Sequence, residues 1–280
     1  MQHRRNFLRA LITGMASTSI LSVKDAGLAR ERDGSRTSKT IPLALVQFDA
    51  VPEQIELNLQ ETERLSEKAV SVGARWVVFH ESSLCDCTAR VKELAEQVPE
   101  GPSTRRLMKL AQRLKCYLSF GLAETRDRRY YITQVFVGPE GFLYRYRKTW
   151  VFLDPEDKGY RNEWIRFDPG VGPELFAIDG VQATCFICAD GEAVRCLERA
   201  AELKPQVVFY PNNRAKLPEF DVFGHRAKTI QAPLLVTNRV GYSWMYKCEG
   251  GCVGYSKHGE VQAKANREGK EEILLHNLEV

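Results

Sequence analysis

Residues 183–192 read Ala-Thr-Cys-Phe-Ile-Cys-Ala-Asp-Gly-Glu, so Cys185 and Cys188 stand three apart at the end of an apolar run. That spacing suits a redox pair, half of a zinc site, or one nucleophile with a bystander. A redox pair needs its thiols at a helix N-terminus, where the dipole favours the first thiolate, whereas Cys185 lies inside the apolar run. Strand alternation would also turn the two thiols to opposite faces. A zinc site would have to draw on Cys185/Cys188, Cys248/Cys252 and Cys85/Cys87, yet no His-Glu-x-x-His occurs and the five histidines are scattered. Two further residues favour a nucleophile. Glu81 ends the apolar run 75–79, and Lys148 follows Tyr146-Arg147. A carboxylate, an ammonium and a thiol at strand ends suffice for acyl transfer: base, oxyanion stabiliser and nucleophile. Taken singly, each also reads as a solvated strand end or a small core residue.

Positioning those groups falls to an alternation of strands and helices. Residues 41–48 read as a buried strand. Leu65, Ala69 and Val72 follow at helical spacing within 58–72, and Gly73 stops the run. A strand at 75–79 precedes a helix that Ser103 can cap, with Leu107, Leu110, Ala111 and Leu114 in one stripe. Strands near 117–123, 131–137 and 142–147 come next, the last two joined by Pro139-Glu140-Gly141. The order then repeats: strand 182–187, helix 193–203, strand 206–210, helix 224–231, strand 234–238, then shorter strands near 252–255, 260–263 and 272–275. Two such β-α-β-α-β-β units predict two layered halves with the helices outside and two sheets face to face.

Composition narrows the partners. The 280-residue chain carries a net charge of +4, but residues 1–40 hold eight of its 40 Lys/Arg and three of its 36 Asp/Glu. The body is therefore close to neutral and lacks the basic footprint that nucleic acid requires. Arg4-Arg5-Asn6-Phe7-Leu8-Arg9 precedes a diluted apolar stretch and the small residues Gly27-Leu28-Ala29. This resembles a twin-arginine export signal, with His3 departing from the usual Ser/Thr. It implies a periplasmic protein, or a cytoplasmic one if the leader is unused. The apolar stretch is too short to span a membrane, so no membrane association is expected of the mature form. Residues 1–40 are expected to be leader and polar linker, and 41–280 the folded domain. In an oxidising compartment Cys248 and Cys252 are the easiest pair to join.

From residue 41 onward the chain resembles the carbon–nitrogen hydrolase, or nitrilase-like, superfamily. Ala44-Leu45-Val46-Gln47 with Asn58 resembles its opening strand and helix. Trp76-Val77-Val78-Phe79-His80-Glu81 is similar to the segment bearing its catalytic glutamate, and Pro139-Glu140-Gly141 through Lys148 to its hairpin and catalytic lysine. Phe186-Ile187-Cys188-Ala189-Asp190 resembles the turn that presents its cysteine; Glu163 near Phe167 and Asn238-Arg239-Val240-Gly241 also match. The resemblance implies a four-layer α-β-β-α sandwich of two mixed sheets, often assembled as a homodimer or larger homo-oligomer. It implies a small amide or nitrile substrate and no cofactor or metal. Glu81 would be the base, Cys188 the nucleophile, and Lys148 with the Ala189 N–H the oxyanion site. Glu163 would be a second carboxylate, positioning Lys148 or the substrate.

Departures from that pattern surround the expected pocket. His80 replaces a usual Pro, Ala189 a usual aromatic, Ile132 a usual Asn, and Gly191-Glu192-Ala193-Val194-Arg195 a usual Pro-Glu-x-x-Arg. His80, Trp150, Phe152, Tyr210, Asn212 and Asn213 are candidates for the pocket wall, although for His80 a structural hydrogen bond is the stronger reading than contact with substrate or tuning of Glu81. The intact set of Glu81, Lys148 and Cys188 favours a thiol amidohydrolase that cleaves a small linear amide through a Cys188 thioester; nitrile hydrolysis and ligand binding by a non-catalytic member of the fold are the alternatives.

Overall fold

Strand β1 (Thr40–Gln47) sends Leu43 and Leu45 to one face of a sheet and Ala44 and Val46 to the other, and both faces are buried. Burial on both sides is why the run is continuously apolar and does not alternate. The computed structural model describes residues 39–86, 88–153, 162–243, 246–266 and 268–280. The expected export leader, most of the expected linker and Cys87 lie outside the described residues.

The first half continues with α1 (Ile55–Ser71), β2 (Trp76–Val78), α2 (Val91–Leu94), α3 (Pro102–Leu114), β3 (Tyr117–Arg126), β4 (Arg129–Gly138) and β5 (Gly141–Arg147). The second holds β6 (Phe176–Ile178), β7 (Val181–Cys185), α4 (Val194–Glu202), β8 (Val207–Pro211), α5 (Phe220–Ile230) and β9 (Leu234–Thr237). A hairpin, β10 (Val240–Ser243) and β11 (Tyr246–Glu249), precedes β12 (Val253–Tyr255), β13 (Val261–Lys264) and β14 (Glu272–Glu279). One sheet has the order β14-β1-β2-β3-β4-β5 and the other β6-β7-β8-β9-β12-β13. Along either order the pairings run antiparallel, parallel, parallel, antiparallel, antiparallel. The two sheets thus share one pattern of strand directions.

The sheets meet through aromatic rings. Trp76 lies 5.8 Å from Phe209, and Phe136 lies 5.0 Å from Phe209 and 4.6 Å from Phe176. Each such buried ring contributes roughly 1.5–3 kcal/mol by leaving water. On the outer face of the first sheet, Leu59, Leu65 and Ala69 of α1 and Leu107, Leu110 and Ala111 of α3 pack with Val77, Phe79, Leu118 and Phe120. Helices α4 and α5 bury Ala200, Phe223, Ala227 and Ile230 in the other half. The architecture is the expected four-layer sandwich.

Some expectations need correction. Val72 is 58% exposed and caps α1 at its C-terminal end; the buried stripe is Asn58, Leu59, Thr62, Leu65, Ser66 and Ala69. Ser103 does not cap α3, because Pro102 begins the helix and Ser103 hydrogen-bonds the Glu96 carboxylate through its N–H (2.9 Å) and hydroxyl (2.5 Å). β14 leaves the second half and pairs antiparallel with β1 along its length. Cys248 and Cys252 are not joined: the former's thiol faces Asn213 Oδ1 and the latter's the Asn238 carbonyl, each at 3.8 Å. No helix among the described residues is long and apolar enough to cross a membrane.

Candidate active site

Glu81 stands three residues beyond β2, in a segment pinned from both sheets. The Phe79 carbonyl accepts from Gln134 Nε2 at 3.2 Å and from Thr237 Oγ1 at 3.1 Å. The chain then presses onto β3 at Gly121, where any Cβ would come within 2.2 Å of the Ser82 nitrogen. Only glycine allows that approach. Lys148 leaves the end of β5 with its N–H bonded to the Ile132 carbonyl at 2.8 Å. Its ammonium, wholly buried, donates to Glu81 Oε1 at 2.7 Å and Glu163 Oε1 at 2.8 Å. Glu163 also accepts the Phe152 N–H at 2.7 Å. A buried cation between two buried carboxylates is tolerable only because each charge has close partners.

Cys188 opens a short 3-10 turn (Cys188–Glu192) after β7, with φ at +46°. A residue with a side chain seldom adopts this left-handed region, and such strain gathers at functional sites. Asp190 holds the turn. Its buried carboxylate accepts the N–H groups of Ile187 (2.9 Å), Thr149 (3.0 Å) and Trp150 (2.5 Å), and the Tyr146 hydroxyl (2.8 Å). One carboxylate therefore ties the segment after Lys148 to the residue before Cys188.

Burial pushes the Glu81 carboxyl up to about 7, with Glu163 adding to the rise while Lys148 and a hydrogen bond from Cys188 oppose it. Burial likewise pushes the Cys188 thiol up to about 11; the Glu81 charge raises it further, and Lys148 and Arg214 work against the rise. The resting proton of the pair therefore belongs on sulfur. Cys185 is fully buried in the inter-sheet core and its thiol is driven well above its ordinary range by desolvation.

Cys188, Ala189 and Glu163 open onto a cavity of about 450 Å³ that Phe152, Glu192, Asn213, Arg214, Phe223, Arg226 and Tyr246 help to line. Other pocket candidates lie elsewhere. Trp150 is 58% exposed and off the cavity wall; its backbone N–H serves Asp190. Asn212 is buried behind the wall, donating to the Tyr210 carbonyl (2.7 Å) and accepting from Arg214 Nε (2.9 Å). His80 faces Phe48 at 4.9 Å, with Nδ1 2.9 Å from the Glu81 carbonyl oxygen. Burial and nearby Arg239 push the His80 imidazolium down to about 3, so the ring is neutral. Sequence reasoning missed Arg214 and Arg226 on the wall and the bracing by Asp190. Arg214 adjoins Asn213, but only the fold shows that β8 ends beside Cys188.

The carbon–nitrogen hydrolase family model matches residues 42–280. A nitrilase of Pyrococcus abyssi is 27% identical over 245 residues, covering 86% of this chain and 90% of that protein. An (R)-stereoselective amidase of a Pseudomonas species is 26% identical over 68% of each chain. The amidase structure from Nesterenkonia sp. AN1 superposes with a TM-score of 0.74 at 21% identity, over 85% of this chain and 92% of that one.

Proposed function

This chain belongs to the carbon–nitrogen hydrolase family, and from that premise we propose that it hydrolyses a small linear amide through a thioester on Cys188. The observation that carries the reading is the buried Glu81–Lys148–Glu163 cluster beside a thiol on a left-handed turn. Glu81 accepts the Sγ proton as sulfur bonds to the carbonyl carbon. Lys148 Nζ and the Ala189 N–H receive the developing oxyanion, an interaction that strengthens in the transition state. The intermediate collapses, its C–N bond breaks, and Glu81 passes the proton to the departing nitrogen. Water deprotonated by Glu81 then attacks the thioester, releasing the acid and returning a proton to sulfur. A carboxyl near 7 suits both directions of that transfer. Glu163 positions Lys148.

The amidase relatives support the amide reading. The nitrilase of Pyrococcus abyssi, aligned over nearly the whole folded region, supports nitrile hydrolysis as the second. Ammonia and acid release from matched amide and nitrile pairs tests the choice: faster amide turnover is expected, and turnover of nitriles alone would favour the second reading. The basic leader supports export as a separate proposal. Retention of the full-length chain in the cytoplasm of a host with a working twin-arginine pathway would contradict it.

A further inference from the structure

The backbone carbonyl of Cys188 is gripped by side chains. The Tyr210 hydroxyl donates to it at 2.8 Å and Arg214 Nη2 at 3.2 Å. Arg214 Nη2 and Arg226 Nη1 in turn donate to the Tyr210 oxygen at 3.1 and 2.9 Å. Glu192, at the far end of the same turn, bridges both guanidiniums, at 2.7 Å from Arg214 and 3.0 Å from Arg226. Phe223 lies under both, its ring centre 5.4 Å from one guanidinium and 4.5 Å from the other. Space for the hydroxyl comes from Gly191, where a Cβ would fall 2.3 Å from the Tyr210 oxygen.

The Cys188 carbonyl and the Ala189 N–H are opposite ends of one planar trans peptide. Fixing the oxygen fixes the direction of the N–H, and Ala189 lines the cavity beside Cys188. Donors on the oxygen, one of them cationic, also polarise the peptide and strengthen that N–H as a donor. We propose that Tyr210, Arg214, Arg226 and Glu192, with the space left by Gly191, form a positioning clamp that aims the Ala189 N–H at the oxyanion. The clamp gives the unusual Gly191-Glu192 turn a purpose: the glycine admits the hydroxyl and the glutamate anchors the arginines. It rests on the reading of Cys188 as the acylated nucleophile.

Two reagents separate the clamp from a general brace. Acetylation by p-nitrophenyl acetate forms an S–C bond through a tetrahedral oxyanion and expels p-nitrophenolate. Iodoacetamide alkylates sulfur by displacing iodide, with no oxyanion at the carbon attacked. In both, the thiol proton passes to Glu81. Intact-mass time courses on the full chain, with thermal unfolding as a fold control, follow both reactions. Removing an oxyanion donor outright costs about a hundredfold or more, so Tyr210→Phe is expected to slow Cys188 acetylation by about tenfold to a hundredfold and leave its alkylation unchanged. Gly191→Ala keeps the hydroxyl but displaces it and is expected to show the same selective loss; the double variant should be no slower than the slower single one. Equal slowing of both reactions, or of neither, in both single variants overturns the clamp alone. Failure of p-nitrophenyl acetate to acetylate Cys188 in the unaltered protein overturns the nucleophile reading and the clamp together.

Discussion

Lys148 Nζ lies 2.7 Å from Glu81 Oε1, and neither side chain is more than 1% exposed. Two opposite charges that close, out of water, define the site's electrostatics more than any surface charge could. The pair is unequal because Glu163 also binds the ammonium, 2.8 Å away. Two carboxylates share one cation, so the site holds a proton more tightly than an isolated glutamate.

That sharing sets the cost of removing the cation. Lys148→Met leaves two buried carboxylates facing each other. Loss of one partner from a buried ion pair costs roughly 3–5 kcal/mol, so urea unfolding at neutral pH should show a loss of that order. The deficit should shrink as pH falls, since protonating one carboxyl removes the repulsion. Loss of an oxyanion donor should lower kcat by about a hundredfold or more.

The acidic limb of kcat/KM should fall near pH 7, the apparent value of the coupled cluster. Glu163 helps to raise Glu81, so Glu163→Gln should move the limb to lower pH. A limb that stayed in place would remove Glu163 from the cluster's titration. The same shift fixes the sign of the stability effect. The fold holds the Glu81 proton up to about 7, whereas an unfolded chain releases it near 4.5. The contribution is therefore complete below about 4.5 and lost as pH rises through about 7. Glu81→Gln should thus gain stability relative to wild type across that interval.

Asp190 accepts from four donors and offers none in return. Asp190→Asn brings an NH2 group against N–H and O–H donors. Hydrogen bonds to a charged acceptor are each worth about 1.5–3 kcal/mol, so a Tm drop equivalent to about 2–4 kcal/mol is expected, with a fall in kcat larger than any rise in KM. Unchanged kinetics at reduced Tm would limit Asp190 to stability.

Much of this arrangement was legible in the sequence because its signals are local. Continuous apolar runs mark strands buried on both faces, as at β1, and the residues just past them, Glu81 and Cys188, are the ones the fold brings together. Lys148 could be read the same way, from the end of a hairpin. What escaped depends on approach between distant segments. The sequence marks Tyr210 only as a wall candidate, and its bond to the Cys188 carbonyl appears only when β8 lies beside β7. Trp150 looked like an aromatic pocket wall, yet Asp190 captures its backbone and leaves its ring outside. Strand β6 is three residues long, too short for alternation to register. Ser103 was a plausible cap until Glu96, seven residues earlier, claimed it.

Cys185 and Cys188 provide the sharpest contrast. Cys185 is fully buried between the sheets, while Cys188 opens onto the cavity. Cys185→Ala should cost about 1–2 kcal/mol for the small void and leave turnover intact. Cys188→Ala should abolish turnover without unfolding the chain.

The most direct test is intact-protein and peptide mass spectrometry on the enzyme quenched during turnover of an amide and nitrile panel. A covalent increment equal to the acyl group, placed on Cys188 and lost as the acid appears, is the predicted result. Turnover that persists in Cys188→Ala, or an acyl group found on another residue, would contradict it.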